Sequence, residues 1–146
     1  MKAVVQKGYG APDDVLELRS PWSGRLMESV RITLAGVWVA LMLTYLLGDV
    51  LRIFAGDFTA GEMAGKTVSQ WMWVLAAVVM LIPIVMVVLS LTMPYPAVRW
   101  VSIAAAIFLV IFNLVGLPYP SLYDNFLIVF GFIFNGLIVW YAWTWA

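Results

Sequence analysis

Four long apolar stretches fill the chain from residue 32 to its end, and they leave few folds open. Residues 32–48, 67–98, 100–123 and 125–146 contain no charged side chain. About 20 apolar residues in a helix cross the hydrocarbon core of a bilayer, which is about 30 Å thick. Open sheets cannot cross lipid, because their edge groups would lack hydrogen-bond partners. The pattern predicts an all-α membrane protein, a four-transmembrane-helix bundle with a short polar N-terminal extension.

The domain division follows from the same stretches. Residues 1–24 are predicted to form a cytoplasmic N-terminal extension, and residues 25–146 the four-helix transmembrane domain. The spans are expected at about 30–54, 68–92, 99–117 and 125–145, with Asp49 and Arg52 tolerated near the end of the first. The tetrapeptide Pro21-Trp22-Ser23-Gly24 is typical of a turn, so the first span is expected to begin after it.

Composition excludes several classes of function. The hydrophobic fraction is 64%, far above the roughly 45–50% of soluble domains. The chain has no Cys and no His, so it lacks the usual metal ligands and the usual general base. A net charge of zero gives no basic surface for nucleic acid. We therefore expect no catalytic residue, no cofactor, no metal site and no enzymatic activity.

Basic residues predict the orientation in the membrane. Those before the first span are Lys2, Lys7, Arg19, Arg25 and Arg31. Arg99 follows the second span, whereas the loops expected on the other side, 55–70 and 117–124, contain only Lys66 as a basic residue. Because positive charge collects on the cytoplasmic side, both termini are predicted to lie in the cytoplasm. The predicted location is the plasma membrane, in a bacterium the inner membrane.

Small residues mark the faces on which the helices are expected to pack. The first span repeats them every four positions, at Gly36, Ala40, Thr44 and Gly48. The third span has Ser102, Ala105, Ala106, Asn113 and Gly116, and the fourth has Gly131 and Asn135. Small side chains let helix backbones approach closely in lipid. We place these faces inside the bundle; dimerisation through one of them is the alternative.

A few polar residues fall within or beside the spans, and they are the candidate ligand or polar-layer residues: Tyr45, Asp49, Arg52, Asn113 and Asn135. Arg52 follows Asp49 by three positions, which places both on one helical face. A carboxylate at depth is costly and often functional. We expect Asp49 to be buried, either to pair with Arg52 or to take up a proton, to accept a hydrogen bond from Asn113 and to face the third or fourth span.

Two function classes are open. One is a membrane protein that binds a small molecule, or helps to transport it, at an outward-facing polar site around Asp49. The other is a structural or accessory subunit that packs against a membrane partner through its small-residue faces. The bilayer is the expected environment in both, and a homo-oligomer or a partner subunit is open in both.

The residues 1–19, MKAVVQKGYGAPDDVLELR, alternate apolar and polar positions and predict two short strands around a turn at 8–14. They resemble the extreme N-terminus of the quinone oxidoreductase branch of the medium-chain dehydrogenase family. Nothing after Ser20 continues that resemblance, and the nucleotide fingerprint of that family has no counterpart here, so no NADPH site is carried over. We interpret this head as an extension from a gene fusion or a misplaced start codon; a docking role is the alternative.

From Val37 onward the strings LTYLLGDVLRIF, LIPIVMVVLS, AVRW and IVWYAWTW follow one another. In these segments the chain resembles a family of small bacterial four-helix membrane proteins classed only as a domain of unknown function. Members of that family often carry Glu just before the Ile-Pro pair, where this chain has Leu81. The resemblance implies a four-helix fold and no reaction.

Overall fold

The computed structural model describes the backbone of residues 3–6, 16–19, 21–63 and 66–145, and side chains from residue 28 onward within these ranges except that of residue 63. The elements are β1 (Ala3–Gln6), β2 (Leu16–Arg19), α1 (Pro21–Ala55), β3 (Glu62–Met63), β4 (Lys66–Thr67), α2 (Gln70–Thr92), α3 (Ala97–Gly116) and α4 (Leu122–Thr144). In this part of the chain four helical segments are long and apolar enough to cross a bilayer: Glu28–Ala55, Gln70–Thr92, Ala97–Gly116 and Leu122–Thr144. The predicted four-helix membrane fold is confirmed.

The first helix begins earlier than the sequence suggested. α1 starts at Pro21, so the tetrapeptide predicted as a turn is helical. Proline suits the first position of a helix, because its fixed φ is helical and its missing N–H would be unpaired there in any case. The same Pro-x-x-Gly letters fit a turn and a helix start, and the prediction of a turn was wrong.

The two strands predicted in the head are present. β1 and β2 pair antiparallel, with Ala3 opposite Arg19 and Gln6 opposite Leu16. The connecting turn predicted at 8–14 lies outside the described residues. A second, shorter hairpin pairs β3 with β4 in the loop between α1 and α2, with Glu62 opposite Thr67.

The helices pack through narrow faces. α1 lies between α2 and α4, α4 lies between α1 and α3, and α2 touches α3 much less. On each helix the buried residues recur every three or four positions, which is the period of one helical face. They include Leu34, Trp38 and Leu41 on α1; Val79, Pro83 and Met86 on α2; Val98, Ser102, Ala106 and Leu109 on α3; and Ile128, Gly131, Asn135, Ile138 and Ala142 on α4. Many other apolar side chains are exposed, among them Ile53, Phe54 and Leu75, as a lipid environment permits.

The small-residue stripe of α1 does not face inward along its whole length, because Gly36 is exposed. A Cβ added at Gly48 would lie 3.5 Å from Leu127 Cδ1 on α4, whereas one added at Gly36 would meet no described atom within 4 Å. The stripe that α1 buries instead is Leu34, Trp38 and Leu41. The expectation that the whole small-residue stripe lies inside the bundle was therefore wrong for Gly36. It holds for Gly131 of α4, where an added Cβ would lie 3.3 Å from the Tyr45 ring.

Polar groups gather in two layers, one at each end of the bundle. Twenty-one residues separate Arg31 from Arg52 on α1, about 32 Å at 1.5 Å per residue. Nineteen residues separate Asp124 from Trp143 on α4, about 28 Å by the same rise. Both spacings match the thickness of the hydrocarbon core, about 30 Å. The two layers therefore fit the two headgroup regions of one bilayer.

Candidate functional site

An ion pair between two helices that are far apart in sequence lies at the centre of the layer that contains the C-terminal end of α1. The Arg52 Nε donates to both carboxylate oxygens of Asp124, at 3.1 and 3.0 Å. The Asp124 side chain is 8% exposed and the Arg52 side chain 36%. The Tyr119 ring covers the guanidinium, its centroid 5.2 Å from the Arg52 Cζ. This layer, which we call the Arg52 layer, thus joins α1 to α4 by a charge-assisted contact.

Asp49 does not occupy the position expected from the sequence. It is exposed, and the described part of the chain contains no hydrogen bond or salt bridge to its carboxylate. Arg52 pairs with Asp124 instead. The pairing with Arg52, the burial of Asp49 and the hydrogen bond from Asn113 were all wrong. A three-residue spacing places two side chains on one face of a helix, but a carboxylate on a neighbouring helix can offer better geometry.

Three of the other candidate residues meet in one cluster nearer the bundle centre. The Tyr45 hydroxyl accepts hydrogen bonds from Asn113 Nδ2 at 2.9 Å and from Asn135 Nδ2 at 3.4 Å. Each asparagine also donates to the carbonyl one turn earlier in its own helix, that of Leu109 or Gly131, at 2.8 Å. The cluster thus links α1, α3 and α4 through neutral hydrogen bonds. Gly131 provides the space for the Tyr45 ring.

A third set of contacts holds the α3–α4 loop against the end of α1. The hydroxyls of Ser121 and Tyr123 both donate to Asp57 Oδ2. These bonds, first that from Ser121, hold the pKa of the exposed Asp57 carboxyl below its ordinary value. The Asn125 side chain closes the same loop by donating to the carbonyls of Tyr119 and Ser121. The loop is therefore built from specific hydrogen bonds.

A lateral groove of about 360 Å³ runs between α3 and α4 in the apolar part of the bundle. Its lining includes Ile107, Val110, Phe132, Asn135 and Gly136. A Cβ added at Gly136 would meet nothing within 4 Å among the described atoms. The buried Asn135 Oδ1 has no hydrogen-bond partner within the described ranges. The groove is thus open to the side of the bundle and almost wholly apolar.

Sequence reasoning found Arg52, Tyr45, Asn113 and Asn135 but missed the importance of Asp124. Position 124 was expected only at the end of an outer loop, 117–124, whereas Asp124 lies in the first turn of α4 and is buried. One signal was available: Asp124 begins the fourth apolar stretch at the depth where Arg52 ends the first. Within the described residues, no group of three or more His, Cys, Asp or Glu side chains has the arrangement of a metal site.

The chain matches no known protein-family model, no curated protein and no solved structure.

Proposed function

We propose that this membrane protein binds a small polar ligand, and helps it to cross or reach the bilayer, at the Arg52 layer. The ligand would present an anionic group, a carboxylate or a phosphate, to the guanidinium of Arg52. The layer would face outward, with both termini in the cytoplasm and the plasma membrane, in a bacterium the inner membrane, as the location.

The observation that supports this proposal is the way Arg52 is held. Its Nε donates to Asp124, and the Tyr119 ring covers one face of its guanidinium, so the side chain is fixed in place. Neither Nη1 nor Nη2 donates to an acceptor in the described part of the chain. Guanidinium groups bind carboxylates and phosphates through such paired N–H edges. A fixed guanidinium with two unused nitrogens is a preorganised donor for an anionic group.

The test is native mass spectrometry of protein taken directly from its own membrane into mild detergent. The wild-type chain should retain a small-molecule adduct, and Arg52→Lys should lose it. Lysine keeps the charge that Asp124 needs, so the fold should survive, but it lacks the planar fork. Lys66→Gln, in the loop hairpin, is the control and should keep the adduct. A wild-type protein without an adduct, or an adduct unaffected by Arg52→Lys, would refute the proposal.

The second candidate function is an accessory subunit that packs against a membrane partner. The observation in its favour is the groove between α3 and α4, where Gly136 lies open. A small residue at such a place permits close approach of another helix. Gly136→Leu should then release a co-purifying partner without altering the helical content. Gly36→Leu, on the open part of α1, is the control and should keep the partner.

A further inference from the structure

We propose that Arg31 and Arg99 bind phosphate groups of anionic phospholipids at the end of the bundle opposite the Arg52 layer. This binding is independent of the proposed ligand at Arg52. It would hold the bundle at a fixed depth and select the lipids around it.

Arg99, in the first turn of α3, is held between aromatic rings. Its Cζ lies 4.9 Å from the Trp143 ring centroid and 5.5 Å from that of Trp100. Its Nη1 donates to the Tyr95 hydroxyl at 3.3 Å, a long bond. Its Nε has no acceptor within the described residues. The rings position this guanidinium, but they leave most of its hydrogen-bonding capacity unused.

Arg31 approaches the same aromatic group from α1. Its Cζ lies 5.6 Å from the Trp145 ring, and Trp145 in turn packs on Tyr95 with ring centroids 5.6 Å apart. Its Nη1 donates to the Leu91 carbonyl at 3.1 Å, one of the carbonyls that a helix C-terminus leaves unpaired. Arg31 and Arg99 therefore lie beside one pair of packed rings, Trp145 and Tyr95. Their two guanidinium groups place two positive charges at one end of the molecule.

Arg31 and Arg99 differ from Arg52 in the counter-charge found among the described residues. No carboxylate in the described part of the chain forms a salt bridge with Arg31 or Arg99, in contrast to Arg52, which has Asp124. A half-buried guanidinium without an anion gives up hydration for little return. An anion from outside the protein would restore the balance.

The position along the bundle identifies the source of that anion as lipid. Arg31 lies about one hydrocarbon thickness from Arg52, and the exposed Trp100 and Trp143 surround Arg99. Tryptophan rings favour the headgroup level, which is where lipid phosphates lie. Basic groups between helix ends at this level bind anionic headgroups. Because the phosphate belongs to the bilayer, this inference holds for either orientation of the chain.

The experiment measures lipid binding to the full chain in detergent by native mass spectrometry. Dioleoyl phosphatidylglycerol and dioleoyl phosphatidylcholine are added at equal concentration. The wild-type protein should bind phosphatidylglycerol about tenfold or more in preference. Arg31→Gln and Arg99→Gln should each reduce its affinity about fivefold, and the double variant about twentyfold or more, from roughly one basic-residue contribution each. Lys66→Gln removes the same charge elsewhere and should change nothing.

The wild-type measurement keeps the inference testable even where a Gln variant fails to fold. Equal binding of the two lipids by the wild-type chain would overturn it, as would a Lys66→Gln effect equal to that of the arginines. A final arm adds inorganic phosphate at millimolar concentration. Retention of phosphatidylglycerol supports a lipid site, whereas full displacement would show a site for free phosphate and overturn the lipid assignment.

Discussion

At the scale of single residues, the two aspartates nearest Arg52 differ in their surroundings: Asp49 lies on α1 and Asp124 in the first turn of α4. Asp124 is 6% exposed, and both its oxygens accept from Arg52. Asp49 is exposed and makes no hydrogen bond to a described residue. Removing one partner of a buried pair costs about 3–5 kcal/mol, but Arg52 is one-third exposed, so solvent reduces that cost.

Asp124→Asn should therefore lower the free energy of unfolding by about 1–3 kcal/mol, because Arg52 would keep its charge without a carboxylate. Asp49→Asn is the matched control and should change it by no more than about 0.5 kcal/mol, as surface substitutions usually do. Reversible unfolding of the detergent-solubilised protein measures both changes. An Asp49→Asn loss as large as that of Asp124→Asn would mean that Asp49 stabilises this layer as much as Asp124 does, which contradicts the assignment of the contact to Asp124 alone.

Asp57 gives the protein an acid-sensitive contact outside the spans. Its pKa is lowered in the folded state, first by the Ser121 hydrogen bond and then by that from Tyr123. A carboxyl with a lowered folded pKa adds stability above its ordinary pKa of 3.8 and loses that contribution as pH falls through the lowered value. The α3–α4 loop should therefore loosen below about pH 4, given the ordinary range of such carboxyls.

The check is the midpoint of thermal unfolding for the wild type and Asp57→Asn between pH 7 and pH 3. The wild type should unfold at the higher temperature at pH 7, since the amide cannot offer a charged acceptor. The difference between the two midpoints should narrow as the pH falls below 3.8, because the carboxyl then gains a proton, first in the unfolded chain and at a lower pH in the folded one. A difference that stays constant across this range would show that the titration of Asp57 does not stabilise the loop.

At the scale of the helices, the lengths of the apolar runs predicted how many spans there are and how long each one is. The start of α1 was predicted wrongly, because its first residues fit two local structures. Run lengths of apolar residues located all four spans within a few residues, because lipid thickness fixes how many residues must be apolar. Pro21 was misjudged, since the same residue opens a turn or a helix. The face of α1 was misjudged at Gly36, because a small residue permits close packing but does not compel it, whereas Trp38 and Leu41 have more surface to bury.

The contact between α1 and α4 gives a prediction with an internal control. Gly131→Ala and Gly136→Ala gain the same helix propensity, about 1 kcal/mol, but only at Gly131 would the new Cβ press on Tyr45, at 3.3 Å. Gly136→Ala should be neutral or stabilising. Gly131→Ala should be less stable than Gly136→Ala, because the Tyr45 ring must move away from Asn113. Parallel unfolding curves measure the difference, and a more stable Gly131→Ala would show that Tyr45 yields at no cost.

At the scale of the whole molecule, the sequence predicts the depth of the two polar layers in the bilayer. It does not predict which residues pair within each layer. The positions of Arg31 and Arg52 along α1 give their depths, because the rise per residue is constant. Which helix faces which depends on packing between residues far apart in the chain, such as Arg52 and Asp124, which are 72 positions apart. A single sequence contains no direct record of that choice, so Arg52 was assigned its nearest carboxylate, Asp49.

The orientation of these layers can be tested on the intact molecule, because a chain with no native cysteine accepts single labelled positions cleanly. Glu62→Cys lies in the hairpin between α1 and α2, and Ser23→Cys lies in the first turn of α1. Basic residues concentrate on the side of the N-terminus, which the positive-inside rule assigns to the cytoplasm. An impermeant thiol reagent added to intact cells should therefore label Glu62→Cys and leave Ser23→Cys unlabelled until the cells are opened. Labelling of Ser23→Cys alone would show that the topology is the reverse of the predicted one. The Arg52 layer would then face the cytoplasm, and any ligand bound there would have to be a cytoplasmic one.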